Sequence, residues 1–365
     1  MNPRAWFSDR NGIDWPTILL GALAIAVVVG LAVAASTSAV AFGLYNPEWD
    51  GTSEFREAID DDPDTDVELI ENTNRYETVQ ANETIAFVMA PESSYSETET
   101  DRVQEFVDAG GTLVVMENFG DPGSELLEAV GAEAQPDGRL VVDSVEYDRG
   151  PAMPVATTVA NHPRTAGVEQ LAVNYGTAIE PGNATVLVST SEFAALTDSD
   201  EEAIDDGASL TSYPIATTES VGDGEIVVIG DPSIAINAMY NEPDNAAFLH
   251  AQYEDEQRVL FDLSHADNLP PLVSSLNTVR TTPLLQGLLG LLAVGTVAVL
   301  SSRRLTPTIT VLVRRASRSP RPPDADTLSD TDRAAYLRQR HPDWDEDRIQ
   351  RVIAALNRTR SKRDD

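Results

Sequence analysis

Apolar positions along the chain fall into three patterns. From Pro16 to Phe42 they are nearly continuous (PTILLGALAIAVVVGLAVAASTSAVAF), with no charged residue. Such a run predicts a membrane-crossing helix, since about 20 apolar residues span the hydrocarbon core and only a helix pairs its own amides there. Pro283 to Leu300 (PLLQGLLGLLAVGTVAVL) predicts a second crossing. Between them, from Leu44 to Thr282, short apolar runs alternate with polar turns, the pattern of a globular domain with its own core.

In that middle region strand and helix spacings take turns. Val67, Leu69 and Ile70 follow the acidic turn Asp60–Asp66, and Thr84–Ala90 (TIAFVMA) and Thr112–Met116 (TLVVM) are strand-length runs suited to a sheet covered on both faces. Between the last two, Ser96 and Glu99 have capping-box spacing, and Val103, Phe106 and Val107 form a helical stripe that Gly110-Gly111 ends. Strand, capped helix and strand predict a βαβ unit with parallel strands. Pro122–Val130 predicts a helix, and Leu140–Val145, Ala172–Ile179 and Thr185–Ser189 predict strands. Pro214–Val221 and Glu225–Gly230 flank Gly222-Asp223-Gly224 as a hairpin. Ser233–Tyr240 and Asp244–Leu263 read as helices. Near the end, Leu328–Arg340 and Asp345–Arg358 read as two amphipathic helices parted by Pro342, an expected helical hairpin.

Charge adds orientation. Leu44–Thr282 carries 48 acidic residues against 8 arginines, whereas the segment after it carries 10 acids and 15 bases, including Arg303, Arg304, Arg314 and Arg315. Basic residues stay on the cytoplasmic side of a span. The expected layout is a cytoplasmic N-terminus (1–15), a span (16–43), an extracytoplasmic α/β domain (44–282), a span (283–300), a basic Pro/Arg-rich linker (301–327) and a cytoplasmic helical tail (328–365). A cleavable signal peptide is the rival reading of the first run, which is longer than a usual signal core. The single lysine, Lys362, and the acid excess suit a surface hydrated in very high salt, where the Debye length is about 3 Å at 1 M. So few arginines among so many acids argue against nucleic acid as a partner. The chain has no cysteine, which removes disulfides, thiolate nucleophiles and thiolate metal sites.

Several segments together carry a family likeness: Glu97–Glu117, Tyr45-Asn46-Pro47 with Trp49-Asp50-Gly51, and Gly230-Asp231-Pro232-Ser233 with Asn237, Asp244 and Asn245. In this order they resemble the membrane-anchored family catalogued as domain of unknown function 4350, in a haloarchaeal version. The resemblance implies a flavodoxin-like parallel sheet similar to class I glutamine amidotransferases. It also implies partnership with MoxR-type AAA ATPases and their membrane companions. The family has no established activity. The turn after Met116, Glu117-Asn118-Phe119-Gly120-Asp121, offers no thiol, so amidotransferase chemistry is excluded.

Ligands of a doubly wound sheet bind beyond the carboxyl ends of its strands. Three stretches are expected to meet there: Asn46–Gly51 (with Trp49 and Asp50), Glu117–Asp121 (with Asn118), and Asp231 and Ser233 with Asn237. They suit either a polar ligand pocket or ordinary turn and cap chemistry. Ser233, His265 and Asp231 lack a Gly-x-Ser-x-Gly elbow, which counts against a hydrolase triad. The Asp60–Asp66 run lacks the glycine of a calcium loop, and His162, His250, His265 and His341 have no zinc spacing, so neither metal nor cofactor is expected. Asn82 and Asn183 sit in glycosylation triplets; Asn357 does too, on the expected inner side. The expected function is a non-enzymatic binding or scaffold module of a membrane complex. The alternatives are an envelope-acting hydrolase using Glu117, Asp121, Asp231 or His265, and an accessory subunit of a transporter.

Overall fold

The computed structural model describes residues 15–198, 209–266, 269–301 and 329–361. Residues 1–14 and most of the 301–327 linker, with the four arginines named above, lie outside the described residues. The chain divides into two compact units, Met1–Thr282 and Pro283–Asp365.

The first unit opens with α1 (Trp15–Ser36), whose window Leu19–Ser36 is the one described helix long and apolar enough to cross a membrane by itself. It ends six residues before Phe42. There the Ser36 and Thr37 hydroxyls donate back to the Val33 carbonyl, Asn46 Nδ2 donates to the Val40 carbonyl, and Phe42 adopts φ 58°. Next come α2 (Ser53–Asp60), β1 (Asp66–Ile70), β2 (Thr84–Met89), α3 (Glu97–Asp108), β3 (Thr112–Met116) and α4 (Asp121–Ala129). An insertion supplies β4 (Gln135–Asp143), β5 (Val155–Ala156), β6 (Thr158–Val159), β7 (Leu171–Ala172), β8 (Thr177–Glu180), β9 (Thr185–Ser189), β10 (Ala194–Thr197) and β11 (Pro214–Val221). The chain then runs through β12 (Gly224–Ile229), α5 (Asn237–Tyr240), α6 (Asn245–Tyr253), β13 (Arg258–Asp262) and α7 (Pro271–Thr281).

The domain is mixed α/β around an eight-stranded sheet, ordered β1-β13-β2-β3-β12-β11-β9-β6. The first five strands run parallel and the rest extend the sheet antiparallel. A three-stranded sheet, β10-β4-β8, and a β5-β7 ribbon complete the insertion. The βαβ unit forms as expected, with β2 and β3 parallel and both halves of the Ser96–Glu99 capping box present. The hairpin forms as well, antiparallel from Ala216↔Ile229 to Val221↔Gly224.

Alternation along each strand divides the core. Ile85, Phe87, Val114, Val227 and Phe261 face Phe55 and Ile59 of α2 and Phe248 and Tyr253 of α6. Ala86, Val88, Leu113, Val115 and Leu260 face Val103 and Phe106 of α3 and Leu126 and Leu127 of α4. Both faces are covered, which is why the strands read as continuous apolar runs.

Four expectations need correction. Asp244–Leu263 is not one helix: α6 stops at Tyr253, and Arg258–Asp262 is a parallel strand between β1 and β2. Its Val259, Leu260 and Phe261 are all fully buried, and only the slot between two strands settles an apolar run that suits either element. Counted in chain order the parallel strands stand 1-5-2-3-4, whereas a flavodoxin has 2-1-3-4-5. Ala172–Ile179 is two strands, broken where Tyr175 takes φ 54°. Ser233–Tyr240 is a 3₁₀ turn, Pro232–Ala235, followed by the single turn α5.

The second unit holds α8 (Pro283–Ser301), α9 (Asp330–Arg340) and α10 (Glu346–Ser361). The Ser329 hydroxyl caps α9 by accepting from Asp332 N at 3.2 Å. Helices α9 and α10 pack through Ala334, Ile349 and Ile353, with Leu337 and Trp344 around them, so the expected helical hairpin forms.

Phe55 centres the first core face, with Phe87 and Phe261 edge-on at 5.3 and 5.6 Å. Phe55→Ala is expected to cost about 3–5 kcal/mol of stability in denaturant unfolding. A loss below about 1 kcal/mol would contradict this packing.

Candidate functional site

The carboxyl ends of the parallel strands collect the candidate groups, and buried acids occupy three of the five ends, those of β3, β12 and β13. Glu117 follows β3, Asp231 follows β12 by two residues, and Asp262 ends β13; all three are buried. Such strand-end turns expose backbone N–H groups that suit an anionic ligand. Here each turn is already filled by its own carboxylate.

Glu117 lies at the amino end of α4. Its Oε1 accepts from Asn118 N at 2.9 Å and Gly120 N at 3.0 Å, and its Oε2 from Gly123 N at 3.3 Å. Glycine is required at 123, since a Cβ there would stand 2.8 Å from the Glu117 side chain. Burial pushes the Glu117 carboxyl up, opposed by these three bonds.

Asp231 accepts from Ser233 N at 2.7 Å and, through its other oxygen, from Asn174 N at 2.6 Å. It thereby caps the 3₁₀ turn and holds the loop between β7 and β8. Gly230 permits this approach, since a Cβ there would meet the Thr177 carbonyl at 2.2 Å. Burial pushes the Asp231 carboxyl from 3.8 up to about 7, against the two N–H donors.

Asp262 accepts from Ser264 N (2.9 Å) and Ser264 Oγ (2.6 Å) with one oxygen, and from the Tyr76 hydroxyl (2.9 Å) with the other. Its carboxyl is raised by burial, and both Tyr76 and Tyr95 are raised well above the usual phenol range, first by burial and then by the Asp262 charge. Beside it, the His265 ring packs at a tilt against Tyr95, with centroids 4.0 Å apart. His265 Nδ1 lies 2.9 Å from Ser93 Oγ, and Nε2 lies 3.4 Å from Glu99 Oε2.

The expected site therefore comes together only in part. Asn118 Nδ2 donates to the Tyr175 carbonyl, so the Glu117 and Asp231 ends meet across Asn174–Gly176. Asn46 and Asn237 form a different junction. Asn237 Nδ2 donates to the Asn46 and Glu48 carbonyls, Asn46 Nδ2 donates to Asp50 Oδ1, and Ala238 N donates to the Trp49 carbonyl. These residues fasten the segment after α1 to α5, while the Trp49 ring is exposed. Asp121 starts α4 from its exposed first turn. Ser233 is held by Asp231, and His265 faces Ser93 instead, so those three do not make a triad. Asn82 and Asn183 are both exposed, with Asn183 Nδ2 donating to Glu133.

Sequence reasoning missed Ser93, Tyr95 and Asp262. The available signal was the repeated Asp-x-Ser at Asp231-Pro232-Ser233 and Asp262-Leu263-Ser264, each closing a turn onto the residue two ahead. A small cavity of about 210 Å³ lies beside Asp262, between Met89 and Ala90 of the β2 end and Phe42, Gly43 and Leu44 of the segment after α1.

These features define an α/β domain whose sheet ends are filled by its own acids, carried behind one apolar helix. The chain belongs to the family described as domain of unknown function DUF4350, which its residues 45–251 match. No curated protein matches it. Among solved structures it is similar to the mmIFT52 N-terminal domain at 15% identity and TM-score 0.43, covering 56% of this chain and 89% of that one. It is similar also to Gan42B, a GH42 β-galactosidase from G. stearothermophilus, at 18% identity and TM-score 0.33, covering 60% of this chain and 27% of that one. A polyextremophilic β-galactosidase from the Antarctic haloarchaeon Halorubrum lacusprofundi matches at 14% identity and TM-score 0.27, covering 46% and 22%. The chain thus spans about a quarter of the length of these two glycosidases.

The sign of the Asp231 shift sets a pH test. The folded chain keeps this proton up to about pH 7, while the unfolded chain releases it near 3.9. The stability this group contributes is complete below the unfolded value and is lost as pH rises through about 7. The melting temperature of Asp231→Asn relative to wild type is therefore expected to rise between about pH 5 and pH 8. A difference that stays flat or falls would contradict the buried, protonated acid.

Proposed function

We propose that the protein is a non-enzymatic, membrane-anchored binding module of a membrane complex. One observation carries the reading: Glu117, Asp231 and Asp262 are bound by backbone N–H, hydroxyl and phenol donors of their own chain, which leaves surfaces rather than a reactive pocket. In this reading α1 and α8 both cross the bilayer, the acidic domain faces outward in high salt, and the α9–α10 hairpin offers a docking unit to a cytoplasmic partner. A MoxR-type AAA ATPase system is the partner class, by family resemblance. The amidotransferase-like fold belongs to the same reading, supported by the five parallel strands, with the position of β13 set apart.

A second reading, a hydrolase, is favoured by the Ser93–His265–Glu99 arrangement. His265 Nδ1 is placed to take the Ser93 hydroxyl proton while Glu99 faces Nε2. Fluorophosphonate labelling that Ser93→Ala abolishes would favour it over the module.

The cysteine-free chain makes orientation measurable. A membrane-impermeant maleimide added to intact cells is expected to label Ser220→Cys, on an exposed residue of β11, and not Gln350→Cys, on an exposed residue of α10. The reverse pattern would overturn the topology. Purification from membranes in about 1 M salt is expected to return a second polypeptide in fixed proportion; recovery of this chain alone would contradict the module.

A further inference from the structure

One edge of the main sheet is open in a way that specifies what it takes. Strand β1 pairs on one side only, with β13. Asp66 N donates to the Gln257 carbonyl, and Leu263 N donates to the Ile70 carbonyl. In a parallel ladder alternate residues of a strand bond one neighbour. Asp66, Glu68 and Ile70 therefore bond β13, and the N–H and C=O groups of Val67 and Leu69 point away from it. No hydrogen bond occupies those groups among the described residues. The opposite edge of the sheet, β6, is only two residues long, so β1 is the edge with ladder left to extend.

The outward groups face a groove of about 790 Å³, walled by Arg56 and Asp60 of α2, by Arg75, and by Val273 and Leu276 of α7. Leu276 is 54% exposed. Helix α7 is fixed beside the strand, because Ser274 Oγ and Asn277 Nδ2 both donate to the carboxylate of Glu71, the residue after β1. The acids on the groove walls are matched: Arg75 holds Glu68 through both carboxylate oxygens, and Arg56 pairs with Asp60. The amino end of the strand is different. There the turn carries Asp61, Asp62 and Asp64. Helix α7 also packs along α1, the apolar helix, so the groove borders the anchor.

We propose that β1 accepts an extended segment of a membrane-protein partner as an added strand, with its backbone on the Val67 and Leu69 groups, alternate apolar side chains against Leu276 and Val273, and basic residues over the Asp61–Asp64 turn. Backbone pairing supplies the affinity of such strand addition, and pockets for alternate side chains supply its selectivity. The choice of a juxtamembrane partner rests on reading α1 as a span; the pairing itself does not.

The test uses the full chain in detergent and a synthetic peptide of alternating valine and threonine with an arginine pair at one end. In about 1 M salt the Debye length is about 3 Å, so general attraction to the acidic surface is screened. The peptide is expected to bind. Its copy N-methylated at alternate residues is expected to bind at least tenfold more weakly (about 1.4 kcal/mol or more). Val67→Pro, which removes the outward N–H, is expected to weaken binding by a similar factor, whereas Val67→Ala, which trims the same side chain from the core but keeps that N–H, is expected to bind the peptide as wild type does. No binding, or equal binding of the methylated peptide, would overturn the proposal without touching the maleimide result. In native membranes, cross-linking from Leu276→Cys is expected to capture a membrane protein only when Val67 is intact. A product of twice the chain's mass would assign the edge to a second copy and overturn the partner named here.

Discussion

A buried carboxylate at a strand end, folded back onto the donors of the turn that follows, is the interaction on which the rest of this domain depends. A buried acid without partners is costly, and the structure meets that cost with backbone N–H groups and hydroxyls. Glu117 satisfies the first turn of α4, Asp231 ties β12 to the loop before β8, and Asp262 joins β13 to Tyr76 ahead of β2. Asp143 at the end of β4 repeats the device, accepting from Val145 N, Glu146 N and Ser191 Oγ. Of these four acids Asp231 is the one that ties the insertion to the parallel strands, beside the ladders that β11, β9 and β6 add to the sheet.

The same arrangement shapes the functional reading. The carboxyl edge of a parallel sheet usually receives the ligand because its turns present unpaired N–H groups. In this chain those donors point at the protein's own carboxylates. What remains open is peripheral: the β1 edge, the exposed rings of Trp49 and Phe119, and the amphipathic hairpin of the second unit. Filled sheet ends and an open edge are the features from which the binding-module proposal is argued.

Local chemistry was legible in the sequence wherever one segment decides its own structure. The Ser96–Glu99 box and the Gly222-Asp223 hairpin both form as their spacing requires. Strand β13 was not legible, because Val259–Phe261 suits a buried strand or the end of a helix equally well, and its partners Val67 and Ile85 are far away in sequence. The acids Glu117 and Asp231 were readable as strand-end groups; that they face inward was not, because the Asn174 N–H that fixes Asp231 comes from the insertion. Likewise His265 could be paired with Ser93 only once the strand before it had a place in the sheet.

Amide hydrogen exchange tests the central claim most directly. The N–H groups of Gly120, Gly123, Asn174, Ser233 and Ser264 belong to no strand ladder, yet each is held by a buried carboxylate. The account predicts exchange as slow as that of the neighbouring strands. Exchange at the rate of open turns would show that the sheet ends are not closed by their own acids, and the binding-module reading would lose its foundation.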